Sequence, residues 1–173
     1  MAELLEDRSS PSLGPADAAV TMVVFTDYQC VPCRAGHPAM MAAVKAAGDV
    51  RVVFRDLPVR GPASEQAARL ALAAQAQSRY PAVHDALMSE RRRLDDAVLR
   101  DVLTAAGVDW RRAEQDAASD PRIDAQLARN GTDALQLGVA GTPAYLIGPY
   151  RVIGTMSERE FRRAFAQARE ANS

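Results

Sequence analysis

The stretch TDYQCVPCRAGHP, Thr26 to Pro38, holds both cysteines of the 173-residue chain, separated only by Val31 and Pro32. Directly before it, AVTMVVF (Ala19 to Phe25) is a short apolar run rich in β-branched residues and reads as a buried strand. The cysteine stretch is expected to open a helix running to about Ala47. DVRVVFRDLPV, from Asp49, then predicts a second strand around Val50 to Phe54. Strand, helix and strand in this order make a β-α-β unit whose strands are parallel, with a right-handed crossover.

Outward from this unit, GPASEQAARLALAAQAQ turns to a helical period, with Ser64 placed as its N-cap. Start and stop signals at Pro81, Gly107, Asp109, Pro121 and Gly138 divide the middle of the chain into four or five helices. TPAYLIG and YRVIGT read as a hairpin, and SEREFRRAFAQARE as an amphipathic helix with Ser157 and Glu160 in a capping box. The order is therefore β-α-β, a block of helices, then β-β-α. That is an α/β fold in which the helices form a lobe over one end of a single sheet. Residues 1 to 18, carrying Ser, Pro, Gly and acidic residues without a sustained period, read as a flexible N-terminal segment.

A formal net charge of −1 gives no bulk electrostatic reason to bind nucleic acid or anionic membrane. No apolar run approaches the roughly 18 residues that a membrane-spanning helix needs. The N-terminal residues contain no apolar segment of signal-peptide type. Aromatic residues are only 5% of the chain, so the core must be built mainly from Ala, Leu and Val.

Three chemistries compete for the cysteine pair. A structural zinc site wants four ligands, and beyond Cys30, Cys33 and His37 the chain offers only the distant His84, so no metal is expected. A structural disulfide gains stability by closing a long loop, and two intervening residues close almost none. The redox reading uses the whole stretch. At the start of a helix, Cys30 faces unpaired N–H groups and the positive end of the helix dipole, which favours the attacking thiolate. Cys33, one turn inward, is placed to resolve a mixed disulfide on Cys30. Pro32 fits the first turn, where a missing N–H costs little, and Pro38 is expected to kink the helix. His37 is read as a surface residue, with a modulating role on Cys33 as the alternative. Asp27 is either a loop cap or an acid acting on the thiols.

VVFTDYQCVPC together with GVAGTPAYLIG resembles the thioredoxin superfamily. FRDLPVRGPASEQAARLALAA followed by HDALM resembles its DsbA-like branch of thiol-disulfide oxidoreductases. The resemblance implies a thioredoxin-like domain over 19–60 and 139–173, interrupted by a helical domain over 61–138. It implies a cis Thr142-Pro143 bond facing the cysteines, where Thr142 and Pro143 bind an extended substrate segment. It further implies exchange with protein thiols and disulfides, a redox partner that resets the pair, no cofactor, and a periplasmic or exported setting, with the cytoplasm as the alternative. Val31-Pro32 stands where DsbA-like oxidants often carry Pro-His or Pro-Tyr, so a less oxidising pair is expected. The short N-terminal segment suggests a monomer. Oxidase or isomerase is the leading expectation and reductase the alternative. From another class, a peptide-binding chaperone with an inert disulfide would use a groove flanked by Met22, Met40 and Met88.

Overall fold

The computed structural model describes residues 9–171. Five segments are extended: β1 (Ser12–Leu13), β2 (Val20–Thr26), β3 (Val50–Asp56), β4 (Ala144–Ile147) and β5 (Tyr150–Ile153). β2 and β3 pair in parallel, from Val20 opposite Val50 to Thr26 opposite Asp56. β4 joins the other side of β2 antiparallel, with Phe25 opposite Ala144 and Met22 opposite Ile147. β5 completes a hairpin with β4, and the sheet order is β1-β3-β2-β4-β5. β2 is a near-continuous apolar run because both faces of the sheet are covered.

Seven helices complete the described residues: α1 (Val31–Ala47), α2 (Pro62–Gln75), α3 (Tyr80–Ser89), α4 (Asp96–Ala105), α5 (Trp110–Ser119), α6 (Pro121–Gln136) and α7 (Glu158–Ala171). Alternate residues of each strand serve different layers, as the period of two requires. Met22, Val24, Val52, Phe54, Tyr145 and Ile147 meet Met40 and Val44 of α1 and Phe161 and Phe165 of α7. Val23, Phe25, Val53 and Leu146 on the opposite face meet Ala134 of α6 and Val139. Leu70, Leu87, Leu99 and Leu103 from the helical block belong to the first of these clusters, so lobe and sheet share a continuous core. Met22, Met40 and Met88 are all buried in it, which removes the methionine-flanked groove of the chaperone reading.

The expected element order holds, with five helices between β3 and β4. Asp109 caps α5 by accepting from the Arg112 amide, and Gly107 and Gly138 take left-handed backbone where helices stop. Ser157 and Glu160 bond reciprocally at the start of α7. α1 continues through Pro38 to Ala47, although the ring withholds an N–H from the Arg34 carbonyl.

Two expectations need correction. Ser64 is not an N-cap: α2 starts at Pro62 behind Gly61, and Ser64 is buried inside the first turn, where it bonds Asp27. The N-terminal segment, from Ser9 onward, is anchored rather than flexible; residues 1–8 lie outside the described residues. β1 pairs antiparallel with β3, the Phe54 amide donates to the Pro11 carbonyl at 2.9 Å, and Gln126 donates to the Ser10 hydroxyl at 2.9 Å. Two residues of strand are too few for periodicity to register, yet they cover backbone groups of β3 that would otherwise be an open edge. Gly14 turns the chain out of this strand at φ +103°, and a Cβ there would lie 2.3 Å from the Val50 carbonyl oxygen. Gly14→Ala is therefore expected to cost about 1–3 kcal/mol, read as a lower denaturation midpoint at unchanged m.

Candidate active site

The register of the sheet brings the two sequence motifs together. β2 ends at Thr26, and β4, antiparallel to it, begins at Ala144 opposite Phe25. Residues 142–143, just before β4, and residues 27–30, just after β2, therefore emerge at the same edge. The Thr142-Pro143 peptide bond is cis. The Cys30 thiol donates to the Thr142 carbonyl at 3.3 Å and accepts the Cys33 amide at 3.3 Å. Cys30 is thus itself the N-cap of α1, its sulfur taking one of the amides that the first turn leaves unpaired. Both cysteines carry free thiols and are buried, whereas Val31 between them is 73% exposed and Pro32 is also exposed.

Burial pushes the Cys33 thiol up to about 12, and its neighbour Cys30 adds to the rise. The Thr142 hydroxyl, buried without a hydrogen-bond partner among the described residues, lies near enough to Cys33 to offset part of it. The two sulfurs thus differ in kind: Cys30 is capped by a backbone dipole, and Cys33 is a desolvated thiol that holds its proton through neutral pH.

Asp27, placed by sequence either as a cap or as an acid acting on the thiols, is a clamp. Its buried carboxylate accepts four hydrogen bonds: from the Gln29 amide at 2.7 Å, the Val59 amide at 2.8 Å, the Arg60 amide at 3.0 Å and the Ser64 hydroxyl at 2.7 Å. It ties the segment leading into Cys30 to the β3–α2 loop, where Val59 is 59% exposed. The Gln29 amide group adds bonds to the Arg60 carbonyl and the Ser64 hydroxyl, each at 3.3 Å.

Behind the cysteines lies a buried polar cluster that sequence reasoning missed. Tyr80 donates to both oxygens of Asp56, at 3.0 and 2.9 Å, Tyr28 donates to Tyr80 at 3.4 Å, and Tyr28 and His84 Nδ1 are hydrogen-bonded at 2.9 Å. Burial pushes the Asp56 carboxyl up to about 7, and burial, aided by nearby His37, holds the His84 imidazole well below its ordinary range. His84 Nε2 has no partner among the described residues. His37 is buried, not at the surface, and its Nε2 meets Asp85 Oδ1 at 2.9 Å. Among the described residues no three metal-ligating side chains converge.

The DSBA-like thioredoxin domain profile matches residues 21–166. The chain belongs to this family. Of solved structures, a thioredoxin-like oxidoreductase from Silicibacter pomeroyi DSS-3 superposes with a TM-score of 0.92 at 32% identity, covering 97% of this chain and 96% of that one. The thiol-disulfide exchange protein alpha-DsbA2 from Wolbachia pipientis gives 0.89 at 26% identity over 96% and 90% of the two chains. A periplasmic thioredoxin-like protein from Salmonella enterica serovar Typhimurium gives 0.87 at 28% over 98% and 95%. Among curated proteins, the Na(+)/H(+) antiporter NhaA 3 of Salinispora tropica is 30% identical over 147 residues, which are 80% of this chain but 22% of the antiporter. The chain thus spans about a fifth of that relative. This DsbA-like chain has a thioredoxin-like fold.

Two consequences are measurable. Removing the clamp in Asp27→Ala leaves four donors without their acceptor, and should cost about 2–4 kcal/mol in denaturation experiments. For Asp56, the folded carboxyl titrates at about 7 against its ordinary 3.8. A raised carboxyl contributes its full stability below the unfolded value and loses it as pH climbs toward the folded one. The gain in stability of Asp56→Asn over the parent should therefore grow between about pH 4 and pH 7, by about 1.4 kcal/mol per unit, and level off above.

Proposed function

We propose that this DsbA-like protein exchanges disulfides with exported protein substrates, Cys30 attacking and Cys33 resolving. The observation that carries this reading is the position of Cys30 Sγ between the Cys33 amide and the Thr142 carbonyl of the cis bond. A client strand laid along Thr142 and Pro143 would take over the backbone groups there and bring its cystine to Cys30. The Cys30 thiolate attacks one client sulfur, forming a mixed disulfide and releasing the other client sulfur as a thiolate. Cys33 then gives up its proton and attacks Cys30 Sγ; the second client thiolate leaves, and the Cys30–Cys33 disulfide remains. The client gains two electrons and the enzyme loses them; run backwards, the same steps oxidise the client. Either direction requires a redox partner protein that resets the pair.

Oxidation or isomerisation in the periplasm is the favoured direction, supported by the periplasmic relative from Salmonella enterica. The reductive reading rests on Val31-Pro32, which puts no imidazole between the cysteines. Antiport is not proposed, since the likeness to the antiporter covers a fifth of that protein and no described helix is long and apolar enough to cross a membrane.

In Cys33→Ser the mixed disulfide on Cys30 should accumulate and be visible on non-reducing gels, while Cys30→Ser forms none and loses exchange altogether. An equal loss in both variants without a trapped species would exclude the assigned roles. The equilibrium potential in glutathione buffers separates the directions: near about −120 mV supports an oxidant, near about −270 mV a reductase.

A further inference from the structure

We propose that the cleft between α2, α4 and α5 binds a lysine- or arginine-bearing segment of the protein client, close to the cystine that Cys30 attacks; this rests on the exchange reading above. The cleft encloses ≈ 380 Å³, within the ~300–1,000 Å³ usual for ligand sites. Its floor is apolar, from Leu70 and Ala117, and one wall is Trp110, the sole tryptophan of the chain, half-buried. Around it stand the carboxylates of Glu65, Asp96 and Glu114.

Among the described residues, the one cation lining the cleft is already committed. Arg69 Nη1 lies 2.7 Å from Asp124 Oδ1 and 4.0 Å from Glu65, and Arg69 Nε donates to the Ala117 carbonyl at 2.8 Å. Three carboxylates against one engaged guanidinium leave the cleft negative. A long basic side chain matches every part of it. Its methylenes cover Leu70 and Ala117, and its charge meets the indole face and the carboxylates. An acidic segment would meet three carboxylates and one guanidinium already paired with Asp124.

The cleft is also fastened to the reactive cysteine. Asp27, three residues before Cys30, holds Val59, Arg60 and Ser64, and Pro62 and Glu65 on either side of Ser64 line the cleft. From Pro62 to Arg69 it follows α2 for about 10 Å. The Asp27 bonds join the loop that carries Cys30 to the start of α2, along which a client strand bound at Cys30 would reach the cleft under this proposal.

The test uses the full chain and synthetic peptides. Cysteine-free peptides carrying Lys-Leu-Arg should quench or shift Trp110 emission, whereas Glu-Leu-Glu counterparts should not. Cystine peptides that walk the basic residue along the sequence should exchange about fivefold or more faster than acidic ones, each rate divided by that with neutral bis(2-hydroxyethyl) disulfide. In Glu65→Gln/Glu114→Gln this preference should collapse toward one, and added salt should weaken it in the parent. Equal rates for basic and acidic peptides, or a preference that survives the double substitution, would overturn the cleft assignment while leaving disulfide exchange standing. Emission changes without any exchange would sink the exchange reading and keep the cleft.

Discussion

Everything in the site depends on the pairing of one strand. β2 is bonded to β3 in parallel and to β4 antiparallel, so the end of β2 and the beginning of β4 meet at one edge of the sheet. The chain leaves β2 at Thr26 and within four residues reaches Cys30. It enters β4 directly from Pro143. A slip of one residue in the β2–β4 register would turn the inward and outward faces of β4 over, and would carry Thr142 away from the thiol. Burial on both faces prevents it: Val24 and Tyr145 serve one core layer, Val23 and Leu146 the other.

The sheet brings the segments together, but a carboxylate aligns them. Asp27 is buried, and four donors from three separate stretches of chain converge on its two oxygens. A buried charge is tolerable only when so fully bonded, and the same bonds leave the approach to Cys30 little freedom. The clamp makes the β3–α2 loop part of the active-site wall, which is why the exposed Val31 and Val59 stand on segments held together.

Most of the fold was legible because its signals are local. The apolar runs of β2, β3 and β4, the Asp and Gly helix boundaries and the Ser157–Glu160 box are all contained within a few residues. The spacing of Cys30 and Cys33 is equally local, whereas the cis Thr142-Pro143 bond was expected only from the family resemblance. What was not legible lies in contacts between residues far apart in sequence. Ser64 carries the ordinary look of an N-cap, yet Pro62 starts the helix earlier and frees its hydroxyl for Asp27, 37 residues away. Asp56, Tyr80, Tyr28 and His84 come from a strand end, a helix and a loop, and nothing in their local sequence announces that they share one buried cluster. His37 looks like a polar helix residue until α3 covers it and supplies Asp85.

The two sulfurs stand one helical turn apart, both buried but with different partners. At the helix end, Cys30 receives an amide hydrogen bond and the positive pole of the backbone dipoles. One turn inside, Cys33 receives mainly desolvation, which pushes its thiol up to about 12. Under the proposed roles this asymmetry orders the reaction. A protonated Cys33 does not compete for the client disulfide and remains in reserve until the mixed disulfide forms. Its own attack then needs a group that stabilises a thiolate in a dry place. The Thr142 hydroxyl, buried without a hydrogen-bond partner among the described residues, is placed to donate there. Thr142 would then act twice, its backbone receiving the client and its hydroxyl helping the step that releases it.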